Sequence, residues 1–115
     1  GLLARARQME LMFTERFQML TSQSRVVGDV RASGALQGIE LVMDKGTKQK
    51  FPDPKAVAAF IGAVGREHGV LLNCQFPHYG NIITMYLPLT ITDEELNLVY
   101  DSIEDAVTRV EKTFT

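Results

Sequence analysis

Residues 80–96, GNIITMYLPLTITDEEL, predict a strand, a proline-marked exit and a capped helix in one short stretch. From Asn81 to Tyr86, the side chains of Ile82, Thr84 and Tyr86 alternate with those of Ile83 and Met85, the two-residue period of a half-buried strand. Pro88 has no backbone N–H to offer a neighbouring strand, so pairing should stop before it. Thr92 and Glu95 form a capping box. The Thr92 hydroxyl can accept from the Glu95 N–H while the Glu95 carboxylate reaches back to the Thr92 N–H. Asp93 and Glu94 add negative charge at the positive end of the helix dipole. Leu96, Val99, Tyr100, Ile103, Val107 and Val110 then recur at helical spacing, a helix of about twenty residues and roughly 30 Å.

Working outward, Val70–Cys74 is a short continuous apolar run and predicts a buried strand; residues 75–80, QFPHYG, predict a loop held by Pro77 and Gly80. Before them, Asp53 as N-cap and Pro54 as first helical residue open a helix with the apolar stripe Val57, Phe60, Ile61 and Val64. His68 falls in its last turn and Gly69 just after it, the expected C-terminal signature. Val26–Arg31 and Leu36–Met43 are β-rich runs joined by Ala32–Ala35, a link short enough for an antiparallel hairpin. Ile39, Leu41 and Met43 share the expected core face of the second run, with Gly38, Glu40 and Val42 opposite. Gly28 inside the first run predicts a bulge or a close backbone approach.

The chain opens on an amphipathic helix in which Leu2, Ala6, Met9, Phe13, Phe17 and Leu20 recur, ending near residues 21–24. Leu3, Leu11 and Met12 widen its apolar surface, for a broad core face or for a second contact such as another domain. The order α-β-β-α-β-β-α predicts an α+β fold: a two-layer domain with a small, mostly antiparallel sheet and helices on one face. The other sheet face is then left for a partner. Residues 1–115 read as a single domain, with an opening helix over 1–24 and the sheet and remaining helices over 25–115.

Hydrophobic residues make up 45% of the 115 residues and charged ones 23%, ordinary for a soluble globular domain. Twelve basic against fourteen acidic residues give a net charge of −2, which argues against nucleic acid as a partner. No apolar run approaches the roughly 20 residues of a membrane span. The single cysteine, Cys74, excludes an internal disulfide and points to a reducing, cytoplasmic setting. A start on Gly1, directly on a helical pattern, is what a piece of a longer protein would show.

Few residues carry chemistry by themselves. His68 has the chemistry of a general base, but a helix-terminal cation beside a Gly cap needs no such role. His78, in a loop with Tyr79 beside a strand mouth, is the better candidate for a ligand contact. Two histidines and one cysteine are too scattered for a zinc site. Cys74 ends a buried-looking strand and reads as apolar filler. Ser22, Ser24 and Ser33 have no nucleophile-elbow context. Gly34 and Gly38 superficially resemble a phosphate loop but lie between antiparallel strands, with no helix N-terminus beside them. Lys45, Lys48 and Lys50 read as a solvated loop, and the five methionines as core filler.

Several segments together resemble the C-terminal small domain of class III pyridoxal-phosphate-dependent aminotransferases, of fold type I. Residues 26–44, VVGDVRASGALQGIELVMD, resemble that family's hairpin, in which a VGDVRG-type start leads to a GIEL-type strand. Thr47-Lys48 resembles the TK that follows, and Gly69-Val70-Leu71-Leu72 the helix-exit strand. Residues 80–83, GNII, and 88–96, PLTITDEEL, resemble its GN-V-I-R and PPLTIT-x-E-E-L signature. The match runs from Val26 to about Val110 in order and spacing; each motif is weak alone and the conjunction is fairly specific.

The resemblance implies an enzyme that moves an amino group from an amine or ω-amino donor to a 2-oxo acid. Its pyridoxal 5'-phosphate, its cofactor lysine and most phosphate contacts would belong to a large catalytic domain of the same chain, and it would act as a homodimer. On this reading the 115 residues are not catalytic alone, hold no cofactor themselves, and close the substrate cleft, with Thr84, His78 and Tyr79 lining it. Thr84 stands where many members carry an arginine able to grip a substrate carboxylate with two N–H groups. No arginine occurs in residues 75–79, QFPHY, from which some amine-accepting members supply one. Leu87 replaces the first proline of the usual pair. An aminomutase or a decarboxylating transaminase would share the fold. A free-standing small-ligand or oligomerisation module would share the exposed sheet face.

Overall fold

The computed structural model describes residues 1–76 and 80–115, in the order α1 (Leu2–Gln23), β1 (Val27–Ser33), β2 (Leu36–Leu41), α2 (Pro54–Glu67), β3 (Asn73–Gln75), β4 (Asn81–Tyr86) and α3 (Asp93–Phe114). The four strands form one sheet in the order β1-β2-β4-β3. Every pairing is antiparallel. One face carries Gln37, Ile39, Leu41, Asn81, Ile83 and Met85, all buried against the helices. The architecture is the α+β arrangement expected, with the helices on one face of a small antiparallel sheet.

The local signals act where the sequence puts them. Gly28 is a bulge, where the β1–β2 register slips between Val27 and Asp29. The hairpin turn is tighter than Ala32–Ala35: β1 runs to Ser33, pairs with Leu36, and turns on Gly34-Ala35. Gly34 sits at φ +60, which a side chain would resist. The Asp53 side chain caps α2 by accepting from the Ala56 N–H at 3.1 Å. Both halves of the Thr92–Glu95 box are made, each at 3.1 Å, and Asp93, Glu94 and Glu95 fill the first turn of α3.

The run Val70–Cys74 is not a buried strand. The Val70 N–H donates to the Gly65 carbonyl and the Gly69 N–H to the Arg66 carbonyl, a Schellman exit from α2 with Gly69 at φ +74. Leu72 packs beneath α2 at Gly65, where an added Cβ would lie 2.8 Å from Leu72 Cγ. Leu71 is 89% exposed, and pairing begins only at Asn73 on the sheet edge. The apolar residues are spent on the helix exit before the strand starts.

The core is continuous across all three helices. Phe13, Phe17 and Tyr100 form a ring cluster with centroids 5.0–5.8 Å apart. The Tyr100 hydroxyl reaches Gln37 on β2, tying α3 to the sheet. Arg16 crosses from α1 to α3, donating to Glu104 at 2.7 Å and to Asp101, with its guanidinium over the Tyr100 ring. Met9 and Met85 are buried, whereas Met19 is 63% exposed and is not core filler. It lies on a turn of α1 that faces away from Met9, Phe13 and Phe17.

Candidate functional site

The sheet face opposite the helices is the candidate site, and register decides what it displays. Asn73 on β3 opposes Thr84 on β4, Thr84 opposes Gly38 on β2, and Gly38 opposes Arg31 on β1. The next row is Gln75, Ile82, Glu40 and Asp29. At the other side Tyr86, Leu36 and Ser33 oppose one another, with Tyr86 74% and Leu36 49% exposed. One end of the face is therefore apolar, the middle polar and the far end acidic.

Two depressions meet at Gly38, the position without a side chain. A hollow of about 60 Å³ is lined by Asp29, Arg31, Gly38, Glu40 and Ile82. A groove of about 280 Å³ runs the other way and includes Arg31, Ser33, Leu36, Gly38 and Thr84. Arg31 is 79% exposed; its Nε donates to Asp29 Oδ2 at 2.5 Å. The hydrogen bond to Asp29 raises the pKa of the guanidinium above its ordinary value. Asn73 Nδ2 donates to Thr84 Oγ1 at 3.4 Å, a long bond that leaves the Thr84 hydroxyl proton free to donate.

Thr84, expected from the sequence as a pocket residue, thus sits in the middle of the open face. His78 and Tyr79, expected beside it, lie outside the described residues. His68 is elsewhere, at the exit of α2. Its Nε2 meets Asp105 Oδ2 on α3 at 2.8 Å, and Arg109 joins Glu67 at 2.7 Å in the same cluster. This is a clasp between helices, in keeping with a structural histidine. Asp105 is held below the usual carboxylate range chiefly by the His68 hydrogen bond, with Arg109 adding to it.

Cys74 packs partly against the core, and burial pushes its thiol up, with Asn81 pulling weakly the other way. Asn81 Nδ2 donates to the Pro54 carbonyl at 2.8 Å and lies 3.6 Å from Cys74 Sγ, anchoring the start of β4 to the start of α2. Asn81 Oδ1 is buried without a partner among the described residues. No group of three or more metal-ligating side chains occurs among the described residues.

The described residues do not fit a pyridoxal-phosphate site. An imine-forming lysine needs an enclosed amine, but Lys48, Lys50, Lys55 and Lys112 are exposed and the Lys45 amine donates to the Thr21 carbonyl.

Arg31, Gly38 and Asn73 were not legible as partners of Thr84. They come from three other strands, and only the β1-β2-β4-β3 order with this register brings them into one row. The usable signal was the two-residue period in each run, but it assigns a face and not a neighbour.

Residues 1–107 match the family model described as Aminotransferase class-III. The chain is 38% identical over 96 residues to a 4-aminobutyrate aminotransferase of Mycobacterium leprae, covering 84% of this chain and 20% of the relative. It is 37% identical over 81 residues to an adenosylmethionine-8-amino-7-oxononanoate aminotransferase of Geobacter sulfurreducens, covering 70% and 17%. The fold superposes with a TM-score of 0.76 and 31% identity on a PLP-bound amine transaminase from an uncultivated Pseudomonas species, covering 94% of this chain and 23% of that one. The chain spans about a fifth of the length of these proteins.

Proposed function

Since this chain belongs to the class-III aminotransferases, we propose that residues 1–115 are the C-terminal small domain of an enzyme that transfers an amino group from an amine or ω-amino donor to a 2-oxo acid. The observation that carries this reading is the bare sheet face. Four strands put Thr84, Arg31, Asn73 and Ser33 on a surface that no helix among the described residues covers, in a chain about a fifth as long as its relatives. A polar face of that kind is suited to closing over a cleft formed elsewhere in the polypeptide.

In this reading the rest of the chain holds pyridoxal 5'-phosphate, which supplies an electron sink for the amino-group carbon. The small domain orients the substrate through Thr84 and excludes water from the cleft. His78 and Tyr79 are assigned to the same pocket from the sequence alone. Thr84 brings a hydroxyl and no charge, so it demands no α-carboxylate of the donor. The enzyme is a homodimer in the cytoplasm, a setting consistent with one cysteine and no membrane-spanning helix among the described residues.

The test is turnover by the full-length protein loaded with pyridoxal 5'-phosphate. It is given a simple primary amine or an ω-amino acid together with pyruvate, and alanine is measured. Alanine formed at the expense of the amine is the expected result. Loss of carbon dioxide from the donor, or migration of its amino group without an acceptor, would overturn the transaminase reading in favour of another reaction of the same fold.

A further inference from the structure

We propose that Arg31 is a specificity-determining residue: its guanidinium and the Thr84 hydroxyl grip the carboxylate of the 2-oxo acid acceptor across the side-chain-free gap at Gly38. This inference rests on the transaminase reading above and adds the group that recognises the acceptor.

A 2-oxo acid brings a carboxylate into the cleft, and a desolvated carboxylate calls for a cation with N–H groups to donate. Arg31 is the one cationic side chain on the four strands among the described residues. Its Nε is taken by Asp29, which fixes the plane of the guanidinium, while Nη1 and Nη2 have no partner among the described residues. Two N–H-bearing nitrogens at the end of an oriented guanidinium are the arrangement that binds both oxygens of a carboxylate.

Register places the second donor. Arg31 and Thr84 flank Gly38 in one cross-strand row, two strands apart, and the residue paired with both carries no side chain. Both line the groove of about 280 Å³, to which Ser33 adds another hydroxyl. That groove has no carboxylate in its lining. Of these two depressions, Asp29 and Glu40, the two acids of this face, line the smaller hollow on the other side of Arg31. A carboxylate therefore enters the groove from the Thr84 side, where donors converge and which lies away from Asp29 and Glu40.

The test compares two small acceptors in the full-length holoenzyme, pyruvate and propanal, of which only pyruvate carries a carboxylate. The readout is the ratio of kcat/KM for pyruvate to that for propanal. Arg31→Gln should lower this ratio roughly 10- to 100-fold, the worth of a charge-assisted bidentate contact. Arg31→Lys, which keeps the charge and loses the fork, should lower it less. Gly38→Val serves as an independent variant. A Cβ at Gly38 comes no nearer than 3.7 Å to the Ile83 carbonyl, so the site tolerates a side chain, which then fills the gap and should lower the ratio as well. An unchanged ratio in Arg31→Gln and Gly38→Val, whatever the absolute rates, would overturn the assignment. A wild-type enzyme that turns over neither acceptor would instead defeat the transaminase reading, and the inference with it.

Discussion

The Tyr100 hydroxyl donates to Gln37 Oε1 at 2.8 Å, with Tyr100 0% and Gln37 2% exposed. Gln37 in turn donates to the Met9 and Gly34 carbonyls at 3.2 and 3.1 Å. One amide thus joins α1, the hairpin turn, β2 and α3. Tyr100→Phe leaves a buried acceptor without its donor and should cost about 1–3 kcal/mol, read as a lower urea midpoint with an unchanged slope. Burial also pushes the Tyr100 phenol up to about 12. A folded pKa above the unfolded value of about 10 means a contribution that is full below pH 10 and lost as pH rises through 12. Wild-type stability should fall over that window more steeply than that of Tyr100→Phe.

Two glycines on α2 should respond with opposite signs to the same substitution. A Cβ at Gly65 would lie 2.7 Å from the Val70 carbonyl and 2.8 Å from Leu72 Cγ, so Gly65→Ala forces the helix exit apart and should destabilise by roughly 1–3 kcal/mol. At Gly62 the nearest atom is the flexible Arg66 Nη1 at 3.5 Å. Gly62→Ala should therefore stabilise by about 0.5–1 kcal/mol through helix propensity. Thermal unfolding of the two variants beside wild type checks both.

Asp105 gives a dependence at acid pH. Its folded pKa lies below the unfolded value of about 3.9, chiefly because His68 donates to it. Such a carboxylate contributes stability above pH 4 that is lost as pH falls through the lower folded value. Asp105→Asn should be less stable than wild type at pH 6, and the gap should shrink at pH 3. Urea midpoints at the two pH values measure it. A gap independent of pH would mean that the clasp works by packing and not by charge.

Thr84→Arg in the full-length enzyme places a guanidinium on the open face beside the groove. It should raise kcat/KM for donors carrying an α-carboxylate relative to simple amines, by roughly tenfold if the contact is a charge-assisted hydrogen bond. An unchanged donor preference would count against Thr84 facing the substrate.

Much of the fold is legible in the sequence, for reasons local to each segment. The Thr92 box, the Asp53-Pro54 start, the Gly69 exit and the Gly28 bulge are all set by neighbours within a few residues. The alternation in residues 81–86 places Thr84 on the open face correctly because strand period and burial agree there. Val70–Cys74 misleads because an apolar run does not say whether its side chains fill a strand or a helix exit. That depends on Gly65 receiving Leu72. The Gln37–Tyr100 bond and the Arg31–Gly38–Thr84 row are out of reach, since residues 37 and 100 or 31 and 84 meet only through tertiary packing and strand order.

The proposed function makes these residues one part of a longer catalytic chain. The mass of the native polypeptide, detected in its source cells with an antibody against this sequence, tests it most directly. A chain several-fold longer than 115 residues is the expected result, in keeping with relatives of which this sequence covers about a fifth. A native polypeptide of about 115 residues would contradict it, because the open face would then have no catalytic part of its own chain to close upon.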